Sequence, residues 1–229
     1  MQNLLLDSAY MGCFISLAAY FLGSWIKKKT RLEWLNPLLF AIVLVILFLK
    51  LTGIDFEEYR KGADMLQYFL TPATICLAVP LYRQWKLLKD NAGAILLSIC
   101  VGSITSMAGV YFITRLTGMD HTFYVSMLPK SITTAIGISV SEELGGIIAI
   151  TAAVIIVTGI LGSMMANLVF SICNISDPVA QGVALGTSAH AIGTSKALRM
   201  GEVQGAMSSL SIVVAGIITV VLAPVAARL

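Results

Sequence analysis

From Gly146 to Ile172, and again from Gly205 to Ala226, the chain runs without a single charged residue. Runs of this length suffice to cross a bilayer's hydrocarbon core as helices, which takes about 20 apolar residues. In lipid each backbone N–H and C=O must be satisfied inside the protein. Backbone that leaves the helical path is tolerated there only where it is buried or lines a wet cavity. Composition extends this constraint to the whole chain. Hydrophobic residues make up 58% of it and charged residues 12%, against about 25% charged in soluble domains; mean hydropathy is +0.90. The expected fold class is an all-α polytopic membrane protein, with residues 1–229 forming a single transmembrane domain. No room is left for a soluble catalytic module. The net charge of +3 sits in clusters beside the apolar runs, a pattern of membrane topology and not of nucleic-acid binding. Cys13, Cys76, Cys100 and Cys173 lie far apart, in or beside apolar runs, without metal-ligand spacing. They read as buried, reduced thiols, and no metal or cofactor is expected.

The first run, Leu4 to Ile26, has no basic region before it and carries Asp7 near its start, unlike a signal peptide. The cluster Lys27 to Arg31 follows, and the positive-inside rule makes it cytoplasmic with the N-terminus outside. Pro37 to Leu51 is a second span. Asp55 to Asp64 is nearly charge-balanced, as an external loop or interfacial helix is. Leu66 to Tyr82 is interrupted by Pro72 and Pro80. Ala92 to Thr114 follows, then Thr122 to Val140, interrupted by Pro129 and Lys130, then Gly146 to Ile172. Asp177-Pro178 reads as an N-cap with proline at the first helical position. The segment it opens ends at Lys196 and Arg199, and Gly205 to Ala226 closes the chain. About eight segments result, with both termini outside if all of them cross, or one crossing fewer if 122–140 is re-entrant.

The seventh segment holds Gly186-Thr-Ser-Ala-His-Ala-Ile-Gly-Thr-Ser-Lys196, small and hydroxylated around one histidine. Polar groups at membrane depth mark a functional site by default. Gly186, Thr187, Ser188, His190, Gly193 and Thr194 are therefore candidate ligand-binding residues. At one constant offset, Thr71, Ala73 and Arg83 anticipate Thr187, Ala189 and Arg199. A repeat with halves near 1–118 and 119–229 is the corresponding expectation. Transporters place their site where interrupted segments of two repeats meet. The segments would be 68–80 and 184–196, which adds Thr71 and Pro72 to the candidates.

Leu128-Pro-Lys-Ser-Ile-Thr-Thr-Ala135 is a second polar cluster. A helix beginning near Pro129 puts Lys130, Thr134, Gly137 and Ser141 on one face, opposite Ile132, Ile136 and Val140. Lysine at a helix N-terminus favours an anion; the plain alternative is a lysine snorkelling to the headgroups. Lys130, Ser131, Thr133 and Thr134 join the candidate set. Glu142 and Glu143 before Gly145-Gly146 read as a helix end and turn. Three stripes of small residues, Ser98/Gly102/Ser106, Thr158/Gly162/Ala166 and Gly201/Gly205/Ser209, read as close helix contacts.

These residues carry a resemblance. Leu128 to Thr134, Ser141 to Gly146, Asp177 to Gly182 and the pattern Gly186-Thr187-x-x-His190-x-x-Gly193-Thr194 closely resemble the LrgB/CidB family, over about Asp7 to Leu229. Ala135 stands where many members carry proline, so a sharp kink there is not implied. The family takes its name from antiholin-like control of murein hydrolases and cell lysis. Its relatives include bacterial pyruvate uptake systems and a plastid glycolate/glycerate translocator. The resemblance implies a bacterial inner-membrane protein working with a separate small subunit of the LrgA/CidA type, and allows a homo-oligomer.

Two functions compete. One is a carrier for small monocarboxylates such as pyruvate or glycolate, coupled to protons or another ion. The other is an antiholin-like regulator of murein hydrolase activity acting through a holin-type partner. The residues favour the carrier, since a plain helical scaffold needs neither Lys130 nor His190. In this reading interrupted-helix N–H groups and hydroxyls hold the carboxylate, and Lys130 offsets its charge. Histidine's unperturbed pKa lies near physiological pH, so His190 would carry a co-transported proton; its plain alternative is a helix-bridging hydrogen bond. An intramembrane hydrolase built from Ser188, His190 and Lys196 is disfavoured, because positions two apart on a helix point in different directions. The chain is not expected to be an enzyme.

Overall fold

The computed structural model describes residues 10–30 and 36–229. The start of the first expected segment, with Leu4 and Asp7, and Arg31 of the basic cluster lie outside the described residues. All regular structure among the described residues is α-helical. The chain divides into two compact units, 1–76 and 77–229.

The first unit contains α1 (Met11–Thr30), α2 (Pro37–Thr52), α3 (Phe56–Tyr68) and α4 (Leu70–Cys76). Asn36 caps α2, its side chain accepting from the Leu38 N–H. Gly53, in the left-handed region at φ 70°, ends that helix. Asp55 caps α3. α1 packs on both α2 and α3. Gly12 and Gly62 approach closely, and a Cβ on Gly62 would lie 2.6 Å from the Gly12 nitrogen. Beside them the Ser16 and Tyr59 hydroxyls pair at 2.7 Å. The charge-balanced stretch 55–64 is thus helix and not loop. The helical run begins at Phe56, earlier than the expected Leu66.

The second unit contains α5 (Ala78–Arg83), α6 (Trp85–Asp90), α7 (Ala92–Thr117), α8 (His121–Met127), α9 (Thr134–Glu143), α10 (Ile148–Ile172), α11 (Pro178–Met200) and α12 (Glu202–Ala226). Pro72 and Pro80 occupy the first turns of α4 and α5, where the missing N–H costs little. The helical breaks themselves fall just before those turns.

α7, α10 and α12 have the length and hydropathy of membrane crossings, as does the broken run Phe56–Arg83, and Pro37–Thr52 is a shorter apolar helix. Exposed Val213, Ile217, Val221 and Val225 form one stripe on α12, and Val157, Leu161, Met165 and Leu168 another on α10. Large apolar surface of this kind belongs in lipid.

α11 does not cross. His190 sits at φ 41°, ψ −134°, a region that residues with a Cβ avoid. The chain reverses there. Gln204, just past the end of α11, donates from Nε2 to Gln181 Oε1 at 3.3 Å, whereas one straight helix would separate these positions by about 30 Å or more. The Leu185 carbonyl lies against Gly193, and Leu185 packs with Ala197. Arms 178–189 and 191–200 therefore run antiparallel, with His190 at the tip. The expected interruption of the seventh segment is real, but it is a full reversal centred on His190 and not on Gly193.

A second hairpin mirrors this one. Pro129 O lies against Gly137, and Ser126 against Gly146. The Ser126 hydroxyl accepts from the Ile147 N–H at 2.7 Å. α8 and α9 are thus antiparallel arms around a tip at 128–133. This corrects the sequence reading of one helix from Pro129. The helix starts at Thr134, and Lys130 lies in the turn before it. Gly137 and Ser141 face α10, the latter bonded to Thr151 at 2.6 Å, while Ile136 is exposed. Proline at 129 holds the turn open because it cannot donate to a helix.

The hairpins enter from opposite ends. α8 begins beside the end of α12, where Tyr124 donates to Ala226 O at 2.8 Å. α11 begins and ends beside the start of α12, and there Arg83 reaches Glu202 at 3.4 Å. The basic groups Arg83 to Lys89 and Lys196 to Arg199 accordingly share one end, the cytoplasmic one by the positive-inside rule. All four cysteines are free, but Cys76 and Cys173 are exposed, not buried. Among the described residues no cluster of three His, Cys, Asp or Glu is placed for a metal.

Candidate functional site

The two hairpin tips arrive at the same helices. On α10 they share Ile155. His190 donates from Nε2 to the Ile155 carbonyl at 2.9 Å, which requires the hydrogen on that nitrogen. A Cβ on Gly137 would lie 2.5 Å from Ile155 Cδ1. The imidazole rests on Gly159, where a Cβ would lie 2.7 Å from the ring. His190 therefore makes the helix-bridging bond that was its plain alternative, and it does so from a strained backbone.

On α7 the tips meet one turn apart. Thr187 Cγ2 lies 2.8 Å from where a Gly102 Cβ would be. One turn along, Ser106 and Ser131 pair through their hydroxyls at 2.8 Å. Lys130 Nζ donates to Ser131 Oγ at 3.2 Å. Lys130 is half-buried, and no ion pair with it occurs among the described residues. The Ser103 and Thr187 hydroxyl oxygens are buried and have no hydrogen-bond partner.

The other candidates scatter around this strip. Thr194 donates to the His190 carbonyl at 3.0 Å and pairs with Ser208 at 2.7 Å, joining the returning arm to α12. Gly186 lies against the Ser208 carbonyl, and Gly193 against that of Leu185. Both are close-approach glycines with helical backbone. Ser188 is exposed and bonded to Ala184 O at 2.7 Å. Thr133 is the N-cap residue of α9 without a side-chain cap bond, and Thr134 opens that helix; both are half-buried. Thr71 and Pro72 belong to the first unit and are exposed. Lys196 donates to Ser163 O at 2.8 Å. Ser188 and His190 thus donate to carbonyls on different helices, which is no nucleophile–base pair.

Sequence reasoning missed Ser103, Ser106 and Ile155. Spacing marks the stripe Ser98/Gly102/Ser106 as packing, and Gly102 does pack against Thr187. The signal overlooked was a second serine, Ser103, beside that glycine.

Fold and site together define an all-α, multi-pass membrane protein with two opposed re-entrant hairpins meeting at a buried polar strip. The chain belongs to the LrgB-like family, whose profile matches residues 16–229. It is 42% identical over 216 residues to the antiholin-like protein LrgB of Bacillus mycoides (strain KBAB4), covering 94% of each chain. It is 40% identical over 223 residues to the antiholin-like protein LrgB of Bacillus subtilis (strain 168), covering 97% of this chain and 96% of that one. No solved structure matches. The relatives' names favour the antiholin-like function over the carrier that the residues alone had suggested.

Proposed function

We propose that this chain is an antiholin-like regulator that restrains murein hydrolase activity through a small holin-type membrane subunit. The supporting observation is its 42% identity, along 94% of both chains, to a protein named antiholin-like. The test is autolysis in a strain lacking the chain. Loss of the protein should speed lysis, and its return should slow it only when the small subunit is also present. Unchanged lysis in both strains would remove the regulator reading.

A second reading, a carrier for small monocarboxylates, has a specific observation in its favour. Two hairpins entering from opposite ends bring Lys130 and the 187–190 tip to one level of α7 and α10. Broken helices that place polar groups at a central site are how many transporters bind solutes. A lysine without a carboxylate partner suits an anion, and charge counts for more in a low-dielectric setting. Uptake of labelled pyruvate into proteoliposomes, with and without the small subunit, tests this reading. Lys130→Ala should cut uptake at least tenfold, about the worth of one charge-assisted bond. Lys130→Arg should keep part of it. Wild-type vesicles that take up neither pyruvate nor glycolate would leave regulation as the sole function.

A further inference from the structure

We propose that Ser103 and Thr187, with Ser106, Ser131 and Lys130, form one binding site for a small carboxylate anion where the two hairpins meet on α7. This inference rests on the carrier reading and assigns its ligand contacts.

Serine and threonine ordinarily turn back to the carbonyl four residues earlier. Ser98, Thr114, Ser188, Ser209 and Ser211 all do so here, at 2.7–2.9 Å. Ser103 and Thr187 do not, although they are only 4% and 7% exposed. A buried hydroxyl without a partner is a net cost to the fold, and such groups in a native protein call for an explanation. Thr187 abuts Gly102, the residue before Ser103, and Ser103 is the i−3 neighbour of Ser106 on the same helix. One turn away stands the chain Lys130 Nζ, Ser131 Oγ, Ser106 Oγ.

The charge of the strip selects the ligand. Asp90, Asp120, Glu142, Glu143, Asp177 and Glu202, the acidic residues of this unit, are all exposed. Lys130 is the charged group bonded into the strip, and its proximity opposes a metal cation. Hydroxyl donors around an ammonium group match a carboxylate, which accepts through two oxygens. The strip draws on α7, the tip at 128–133 and the outgoing arm of α11. A ligand held there touches both hairpins at once.

The test uses the full chain in proteoliposomes, with and without the small subunit, and pyruvate as probe. Ser103→Ala and Thr187→Val each delete one unpartnered hydroxyl. If the hydroxyls only pack, both variants keep wild-type uptake and an equal or higher Tm. If they bind ligand, Tm is likewise kept or raised, but the apparent affinity for pyruvate falls roughly tenfold in each. Ser98→Ala, whose hydroxyl is already satisfied, should leave affinity unchanged. Ser103→Cys in a background lacking the four native cysteines adds a second readout: pyruvate should slow its labelling by a small thiol reagent. Normal pyruvate affinity in both variants, with wild-type uptake intact, would overturn the proposal while sparing the carrier reading. Wild-type protein that neither transports nor binds pyruvate would overturn both.

Discussion

At the scale of single residues, His190 stands apart. Its backbone at φ 41° is glycine territory, yet the residue is histidine, 3% exposed and bonded to Ile155 O. Such conformations cost about 1–3 kcal/mol and persist where the surroundings enforce them. His190→Gly removes the strain and the ring together, whereas His190→Ala removes the ring alone. The glycine variant should therefore be the more stable of the two by about 1 kcal/mol, read as the higher Tm in detergent. Equal melting would mean that the reversal is not strained. At Gly159 any side chain meets the imidazole, so Gly159→Val should destabilise the fold by about 1–3 kcal/mol through overpacking, read as a lower Tm. The sequence made this histidine conspicuous through its polar neighbours. It could not show the positive φ, because no residue type announces that conformation except glycine, and the glycine that drew attention, Gly193, lies three positions on.

At the scale of elements, most boundaries were legible. Asp177-Pro178 opens α11 with the Asp177 side chain accepting from the Ala180 N–H at 2.9 Å, as the cap signature requires. The apolar runs became α7, α10 and α12. What the sequence concealed was direction. A segment of some twenty residues reads the same whether it crosses or doubles back, since helical periodicity carries no sign of a reversal. The information lay in tertiary contacts of small residues, Gly182 and Gly186 along α12 on the way in and Leu198 against Gly205 on the way out. Gly193→Val tests the hairpin as an element. Its side chain would press on the Leu185 carbonyl and force the arms apart. Membrane insertion should be normal, because valine costs little there, while the function of the chain, whether lysis control or pyruvate uptake, is lost. Full function in Gly193→Val would mean that the arms need not stay in contact.

At the scale of the whole molecule, the second unit is three crossing helices with two hairpins thrust between them. Composition and apolar runs point to the membrane class and the helical fold, and the family motif marks the polar segments that form the two hairpins. The convergence of Ser131 and Thr187 on one strip of α7 depends on both reversals, so it was beyond reach of spacing alone. The most direct test is a cysteine pair at Gln181 and Gln204, in a chain lacking its native cysteines, oxidised in intact membranes. Side chains at these positions touch at 3.3 Å in the hairpin, and disulfides form across Cα separations up to about 7 Å. Efficient crosslinking by disulfide or a short bifunctional thiol reagent is the predicted result. A pair that stays uncrosslinked with every short reagent, but is bridged by one spanning about 30 Å, the reach of twenty helical residues, would mean that α11 crosses the membrane and the two-hairpin site does not exist.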